Sequence, residues 1–333
     1  MRVLSIMLFL IATTQLLAQK VTNVNHVAYT VSDVDSAIEF LKANVNATLN
    51  YKKELDDSSL QNLFGVRDAS LKLQCASVQI GDNEVRLLDF DASHEGRKIP
   101  HDSRSNDLWF QHIAIVVEDM DEAYDQVHKN KVTHVSTAPQ TLPDYIPAAA
   151  GISAFYFRDH DDHNLELIYF PEDKGNPKWK RNSVNPFLGI DHTAIGVADT
   201  DESLKFYRDV LQLRVAGNSE NYGTEQEHLN QVFGARLLIT GLTAGQGFGV
   251  EFLEYIAPPG GRTYPDDSSP LDYWHWHTAM EVDDIEGVLQ NVNLHNYDVV
   301  SHGISKISEL GYEKAVIVRD PDNHAILLYE TSQ

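Results

Sequence analysis

One ten-residue phrase occurs four times in this sequence and fits H-x-A-x-x-V-x-D-x-[DE] each time without a gap. The copies begin at His26, His112, His192 and His277. Val, Ile, Thr and Ala are common in the first six residues of each copy, which favours a β-strand whose side chains alternate between two faces. The aspartate that follows is a good helix N-cap, and the acid two positions later suits the positive end of a helix. Each copy therefore predicts a strand that leads directly into a helix.

Each phrase opens a longer unit of one strand, one helix and about three further strands, so that the sequence predicts four βαβββ modules. A longer repeat lies above this one, because residues 96–112 match residues 261–277 without a gap. The chain is therefore a duplication of two halves, 21–171 and 188–333, each holding two modules. The polar stretch 172–187 between them is typical of a linker. These patterns predict an α+β fold with two domains.

Residues 1–18 have a short basic start, an apolar run and a possible cleavage site at Ala18, which together indicate a secretory signal peptide. The alternative is an uncleaved membrane anchor, but the apolar run is short for a membrane span. We expect an exported protein, periplasmic or secreted, without stable membrane insertion after cleavage.

The charge and cysteine content limit what the chain can bind. Its 49 acidic and 26 basic residues give a net charge of -23, which opposes binding to nucleic acid. Cys75 is the single cysteine, so that no disulfide can form within the chain. A metal site would have to use histidines and carboxylates. The expected partner is a small-molecule substrate, and the oligomeric state is left open.

Two glutamates lie within apolar strands near the ends of modules, Glu166 in L-E-L-I and Glu251 in V-E-F-L. A carboxylate in such a strand is costly unless it is paired or bound to a cation. Alignment of the module ends places Arg86 at the equivalent position of module one and Leu327 at that of module four. Four histidines are thus matched by two glutamates, one arginine and one leucine.

Tandem βαβββ modules with a histidine opening the first strand and a glutamate in the last resemble the vicinal oxygen chelate superfamily. The D-x-x-x-N/H-x-x-E ending from Asp159 to Glu166 is also similar to that superfamily, which includes glyoxalases, epimerases, extradiol dioxygenases and antibiotic-resistance proteins. The resemblance covers nearly all of residues 21–333. It implies that two modules close into a cupped eight-stranded sheet with a divalent metal on its floor. Imidazole and carboxylate ligands suit Fe, Mn, Ni, Co or Zn. The candidate metal ligands are His26, His112, Glu166, His192, Glu251 and His277.

The pairing of the modules decides which of these residues meet. Consecutive pairing, which we favour, gives two cups, one with His26, Arg86, His112 and Glu166 and one with His192, Glu251, His277 and Leu327. Crossed pairing, known in fused glyoxalases, gives one cup with His112, Glu166, His192 and Glu251 and one with His26, Arg86, His277 and Leu327. The crossed alternative explains why both carboxylates are missing from one potential cup, which would then bind no metal.

The resemblance implies a metal-dependent lyase or isomerase, similar to a glyoxalase or an epimerase, that acts through a metal-chelated enediolate. Glu166 or Glu251 would move the proton as the catalytic group. An Fe(II) ring-cleaving dioxygenase and a non-catalytic small-molecule binding protein are the alternatives. Weaker candidates for substrate contacts are Arg97, Tyr145, Arg262 and His275, although salt bridges that hold their loops are the favoured explanation for the two arginines.

Overall fold

The computed structural model describes residues 20–332. The predicted signal peptide at residues 1–18 lies outside the described residues. Within the described part of the chain, no helix is both long and apolar enough to cross a membrane.

The four predicted modules are present, and their elements follow one another in the expected order. Module one comprises β1 (Val21–Thr30), α1 (Val34–Val45), β2 (Thr48–Leu55), α2 (Ser58–Phe64), β3 (Lys72–Ile80) and β4 (Asn83–Asp91). Module two comprises β5 (Gln111–Val117), α3 (Met120–Lys129), β6 (Thr133–His134), β7 (Gln140–Thr141), β8 (Ser153–Arg158) and β9 (Asn164–Tyr169). A short 3₁₀ helix, Pro177–Trp179, lies in the predicted linker.

The second half repeats this plan. Module three comprises β10 (Phe187–Val197), α4 (Thr200–Leu204) continued by a π-helix (Lys205–Val210), β11 (Arg214–Tyr222), α5 (Thr224–Asn230), β12 (Arg236–Thr243) and β13 (Gly249–Ala257). Module four comprises β14 (Trp276–Val282), α6 (Ile285–Leu294), β15 (Ser305–Ile307), a 3₁₀ helix (Ser308–Leu310), β16 (Tyr312–Arg319) and β17 (Ala325–Glu330).

The aspartates of the phrase cap the helices as predicted. Each accepts a hydrogen bond from the backbone N–H three residues further on, which satisfies a free donor of the first helical turn. The capping residues are Asp33, Asp119, Asp199 and Asp284. The phrase therefore encodes the turn from strand to helix in all four modules.

The two sheets do not follow the two halves of the chain. One sheet has eight strands in the order β15-β16-β17-β14-β1-β4-β3-β2 and joins modules one and four. The other has the order β11-β12-β13-β10-β5-β9-β8-β6, with β7 also paired to β8, and joins modules two and three. Module two contributes an extra strand because the segment facing β8 is interrupted between β6 and β7.

The favoured prediction of consecutive pairing is therefore wrong, and the crossed alternative describes the structure. The first strands meet in antiparallel pairs, β1 with β14 and β5 with β10. In both pairs the histidine of one phrase lies opposite the alanine of the other. Since all four strands carry the same phrase, its local chemistry is compatible with either pairing.

The alternation of side chains along the first strands separates the core from the cups. Val27, Tyr29 and Val31 of module one belong to the largest hydrophobic core, which contains residues from both sheets and from the helices. Ala28 lies on the other face and joins a separate cluster inside the cup of modules one and four. The histidines thus point into the concave faces, as the period of two along a strand requires.

Candidate metal centre

The strand register confirms the alignment of the module ends. Each first strand runs parallel to the last strand of its own module, and the alanine of the phrase lies opposite the residue identified by sequence. That residue is, module by module, Arg86, Glu166, Glu251 and Leu327.

The cup of modules two and three collects all four residues that the crossed alternative predicts. Nε2 of His112 lies 2.9 Å from Oε2 of Glu166. Nε2 of His192 lies 3.7 Å from the same oxygen and 3.5 Å from Oε1 of Glu251. His112, Glu166 and His192 are buried, whereas the Glu251 side chain keeps 23% of its exposure. Glu251 is thus the member of the cluster most open to a bound molecule.

The residues of this cluster fit a divalent cation. One ligand atom from each of His112, Glu166 and His192 lies within 4.8 Å of the others. Both ring nitrogens of His112 and Nε2 of His192 are buried without a hydrogen-bond partner, although buried polar groups are normally paired. The close approach of His112 to Glu166 lacks the alignment of a hydrogen bond. It suits two metal ligands whose ligand atoms converge on one ion. Two imidazoles and one carboxylate form the set found in sites that keep open positions for a substrate.

Asp191 orients His192 and was not identified from the sequence. Its Oδ2 lies 3.1 Å from Nδ1 of His192, and Trp179 donates from Nε1 to its Oδ1 at 2.7 Å. Burial opposes ionisation of Asp191, but the hydrogen bonds from His192 and Trp179 hold its pKa below the ordinary value. A carboxylate on the far nitrogen of an imidazole fixes the ring and makes it a better metal ligand.

The floor of this cup is a region of negative potential. Burial favours the neutral form of His192, yet the carboxylates of Glu251, Asp191 and Glu166 outweigh it and raise the pKa of His192 to about 10. Burial likewise raises the pKa of Glu251. Such a floor favours a positive charge, whether a proton on His192 or a metal ion.

A cavity of about 570 Å³ opens above the cluster. Glu166, His192 and Glu251 line its floor, and Tyr156 lines its side. Tyr145, a predicted substrate contact, lies outside the lining and is 51% exposed. Its hydroxyl donates to Glu225 at 3.2 Å, which places it near the rim.

The second cup brings His26, Arg86, His277 and Leu327 together, as the crossed alternative predicts. The Arg86 guanidinium donates to the Tyr312 hydroxyl at 2.7 Å, and that hydroxyl lies 3.0 Å from Nε2 of His26. Burial, followed by the charge of Arg86, lowers the pKa of His26 well below its ordinary value and that of His277 to about 3. Arg86 occupies the position that Glu166 and Glu251 hold in their modules, and its positive charge opposes the binding of a metal ion in this cup. This arrangement does not favour the predicted role of His26 and His277 as metal ligands.

His275 also belongs to this second cup. It is buried, and its Nε2 lies 3.2 Å from Nδ1 of His277. The ring of Phe64 lies 6.2 Å from that of His275 and 6.3 Å from that of His277. The predicted substrate role of His275 therefore has no support from its position, because His275 does not line the open cavity.

The two arginines predicted as weak substrate contacts are engaged in reciprocal ion pairs between the halves. Arg97 donates to the two carboxylate oxygens of Asp272 at 3.0 and 2.8 Å, and Arg262 donates to those of Asp107 at 3.1 and 2.7 Å. Neither arginine lines the cavity above the metal cluster. We assign both arginines a structural role, because their donors already hold a loop of one half against the other half.

The chain belongs to the Glyoxalase/Bleomycin resistance protein/Dioxygenase superfamily, whose family model matches residues 23–167 and 189–328. This confirms the resemblance noted from the sequence. A curated relative, a 2-epi-5-epi-valiolone epimerase from Actinomyces sp, is 31% identical over 151 residues, which cover 44% of this chain and 79% of the relative.

Solved structures of similar fold cover almost the whole chain. Glyoxalase I from Zea mays matches with a TM-score of 0.59 and 14% identity over 94% of this chain and 92% of the maize chain. A putative dioxygenase from Bacillus subtilis matches with a TM-score of 0.56 and 13% identity over 95% of this chain and 87% of the other. At this identity the likeness establishes the fold alone.

Proposed function

We propose that this protein is a divalent-metal-dependent epimerase or related isomerase that acts on a small oxygenated molecule. The observation that carries the proposal is the cluster of His112, Glu166 and His192, whose unpartnered nitrogens lie beneath an open cavity. The similarity to a 2-epi-5-epi-valiolone epimerase supports the reaction class.

The roles of the residues follow from their positions. His112, Glu166 and His192 would hold the ion, and Asp191 would keep the His192 ring in place. When bound, a divalent ion supplies Lewis-acid polarisation of a substrate oxygen. Glu251 lines the cavity and is the more exposed of the two glutamates, so we assign it the proton transfer at the carbon next to the polarised carbonyl. Protonation of the opposite face of that carbon by solvent, with release of the first proton from Glu251 to solvent, would complete an epimerisation.

The test is the exchange of a substrate carbon-bound proton with deuterated water, followed by NMR on 2-epi-5-epi-valiolone. We expect exchange with the metal-loaded protein and a loss of roughly 100-fold or more in Glu251→Gln, because a positioned general base contributes about that much. Glu251→Gln should retain its metal, whereas Glu166→Gln should bind it weakly. Absence of exchange in a protein of full metal content would refute the epimerase assignment.

The same ligand set favours a second candidate. Two histidines and one carboxylate with open positions are also the set of non-haem Fe(II) oxygenases. Oxygen uptake and catechol cleavage after ferrous loading, without proton exchange, would assign the protein to that class. If the protein binds no metal, the remaining alternative is a non-catalytic protein that binds a small molecule.

We also propose export, which rests on residues 1–18 alone. Sequencing of the mature N terminus should find it within a few residues of Gln19, and an intact Met1 in the extracytoplasmic fraction would count against cleavage.

A further inference from the structure

One wall of the cavity above the metal cluster is built from neutral polar side chains. Asn218, Ser219 and Asn221 come from β11, and Gln226 comes from α5. Amide and hydroxyl groups of this kind recognise hydroxyl groups through hydrogen bonds in both directions. These residues carry no charge, unlike those of the floor, so we assign this wall to the part of a substrate that does not react.

Gln226 is the member of this wall whose side-chain oxygen is buried without a partner. It is 1% exposed, and its Oε1 is buried without a hydrogen-bond partner. Its Nε2 donates to Asn230, and Asn230 donates in turn to the Tyr255 hydroxyl at 2.5 Å. These hydrogen bonds hold one end of the Gln226 amide and leave the other end unpaired in a residue that lines the cavity. A buried amide group without a partner is costly, and a substrate hydroxyl would satisfy it whichever end of the amide faces the cavity.

The charges of the cavity disfavour substrates that carry an anionic group away from the metal cluster. None of the described residues that line it is a lysine or an arginine, and its ionisable groups other than Tyr156 are His192, Glu166 and Glu251 of the floor. A phosphate or carboxylate group on the substrate would therefore meet no cationic side chain outside the metal cluster. Anionic groups are normally bound by such cations.

The remaining wall is apolar. Leu142, Ala148, Ala149 and Ile152 line it, and they belong to the loop between β7 and β8. A cavity with one apolar wall and one wall of amides suits a ring whose face is apolar and whose rim carries hydroxyl groups.

We infer that the cavity selects an uncharged, polyhydroxylated ring and that Gln226 is its specificity-determining residue. The inference rests on the proposed function, because it assigns the substrate class of the same site.

Binding measured by calorimetry tests the inference without turnover. The probes are 2-epi-5-epi-valiolone and its phosphate monoester, and the protein is the full chain loaded with Mn²⁺. We expect the neutral probe to bind at least about 10-fold more tightly, because the ester would bury an unpaired charge.

Two variants test whether Gln226 is responsible for binding the neutral probe. Gln226→Leu should weaken binding of the neutral probe by about 10- to 100-fold, with metal content unchanged. Gln290→Leu, an exposed amide on α6 far from the cavity, is the matched control and should bind like the wild type. If Gln226→Leu fails to fold, the comparison of the two probes on the wild type still decides the charge selection.

Tighter or equal binding of the ester, unchanged binding in Gln226→Leu, or no binding of the neutral probe to the wild type would overturn the inference. Selective binding that depends on Gln226, in a protein that shows no proton exchange, would support the inference while refuting the epimerase reaction. The two failures are thereby distinguishable.

Discussion

At the scale of single residues, the same histidine of the repeated phrase has opposite surroundings in the two cups. His192 faces carboxylates, and its pKa rises to about 10. His277 lies in the cup of Arg86, where burial and that cation lower its pKa to about 3. The partner on the last strand of the module therefore decides whether the histidine attracts or opposes a cation. The phrase alone carries no such information.

The sequence identifies Glu166 and Glu251 but not Asp191, and the reason is geometric. Neighbouring residues of a regular strand point to opposite faces, so Asp191 should point away from His192. The register between β10 and β5 shifts between Ile190 and His192, which marks a bulge at Asp191. A bulge redirects side chains locally, and a sequence pattern of period two cannot anticipate it. Gln226 was missed because an amide on a short helix has no distinctive spacing.

Removal of the Asp191 side chain should weaken the metal site without removing a ligand. We expect Asp191→Ala to lose about 10- to 100-fold in metal affinity, because His192 loses the carboxylate that orients it. A competition titration against a fluorescent chelator measures this.

The matched control is Asn25→Ala. The side chain of Asn25 lies 2.9 Å from Nδ1 of His26, within an equivalent register shift in the other cup. The metal affinity of Asn25→Ala should equal that of the wild type, and an equal loss in both variants would refute the assigned role of Asp191.

At the scale of elements, two segments that align without a gap close one cup and leave the other open. Residues 60–67 align with residues 229–236, so that Phe64 corresponds to Phe233. α2 continues to Phe64, which is 1% exposed and packs beside His277. α5 ends earlier, at Asn230, and Phe233 is 92% exposed. The segments L-Q-N-L-F-G-V-R and L-N-Q-V-F-G-A-R differ too little for the sequence to predict this difference.

The two phenylalanines should therefore differ in their contribution to stability. Phe64→Ala should lower the free energy of unfolding by about 3 to 5 kcal/mol, as is usual when a fully buried phenylalanine is removed. Phe233→Ala should change it by less than about 0.5 kcal/mol, because the side chain is in solvent. Urea unfolding of both variants measures the difference, and similar losses would show that Phe233 is buried in solution.

At the scale of the whole molecule, the crossed pairing joins the halves in both sheets. The sequence predicts the modules, their order and the alignment of Glu166 with Arg86, because these depend on local periodicity and internal repetition. It does not predict the pairing, because the first strands are chemically equivalent and their partners are distant in the chain. The sequence signal for the crossed arrangement was that both glutamates lie in modules two and three. That signal reflects the ligands a metal site needs and not the interactions that pair the strands.

Two buried aspartate–histidine pairs connect the sheets reciprocally. His163 lies 2.9 Å from Asp159 and 2.8 Å from the Tyr273 carbonyl, just before β14. His324 lies 2.8 Å from Asp320, and its other nitrogen is 2.8 Å from a carbonyl just before β5. Burial opposes the charged form, but the neighbouring carboxylates raise the pKa of both histidines above the ordinary value.

These pairs should make stability depend on pH. A raised pKa in the folded state means that the contribution of each pair is complete below about pH 6.5, the pKa of an unfolded histidine, and is lost as the pH rises through the folded pKa. The free energy of unfolding of the wild type should therefore fall on the alkaline side.

Replacement of both histidines, His163→Gln with His324→Gln, should flatten this fall. His192 titrates in the same direction, so the comparison of variant with wild type isolates the two pairs. An unchanged slope in urea unfolding from neutral to alkaline pH would contradict the assignment.

We expect one divalent metal ion to bind per chain, in the cup of modules two and three. Elemental analysis of the purified protein, of His26→Ala and of His192→Ala after the same metal loading tests it most directly. We predict about one ion per chain in the wild type and in His26→Ala, and a large loss in His192→Ala, since removal of one of three ligands leaves the set incomplete. A loss of the metal in His26→Ala, or full retention in His192→Ala, would contradict this account.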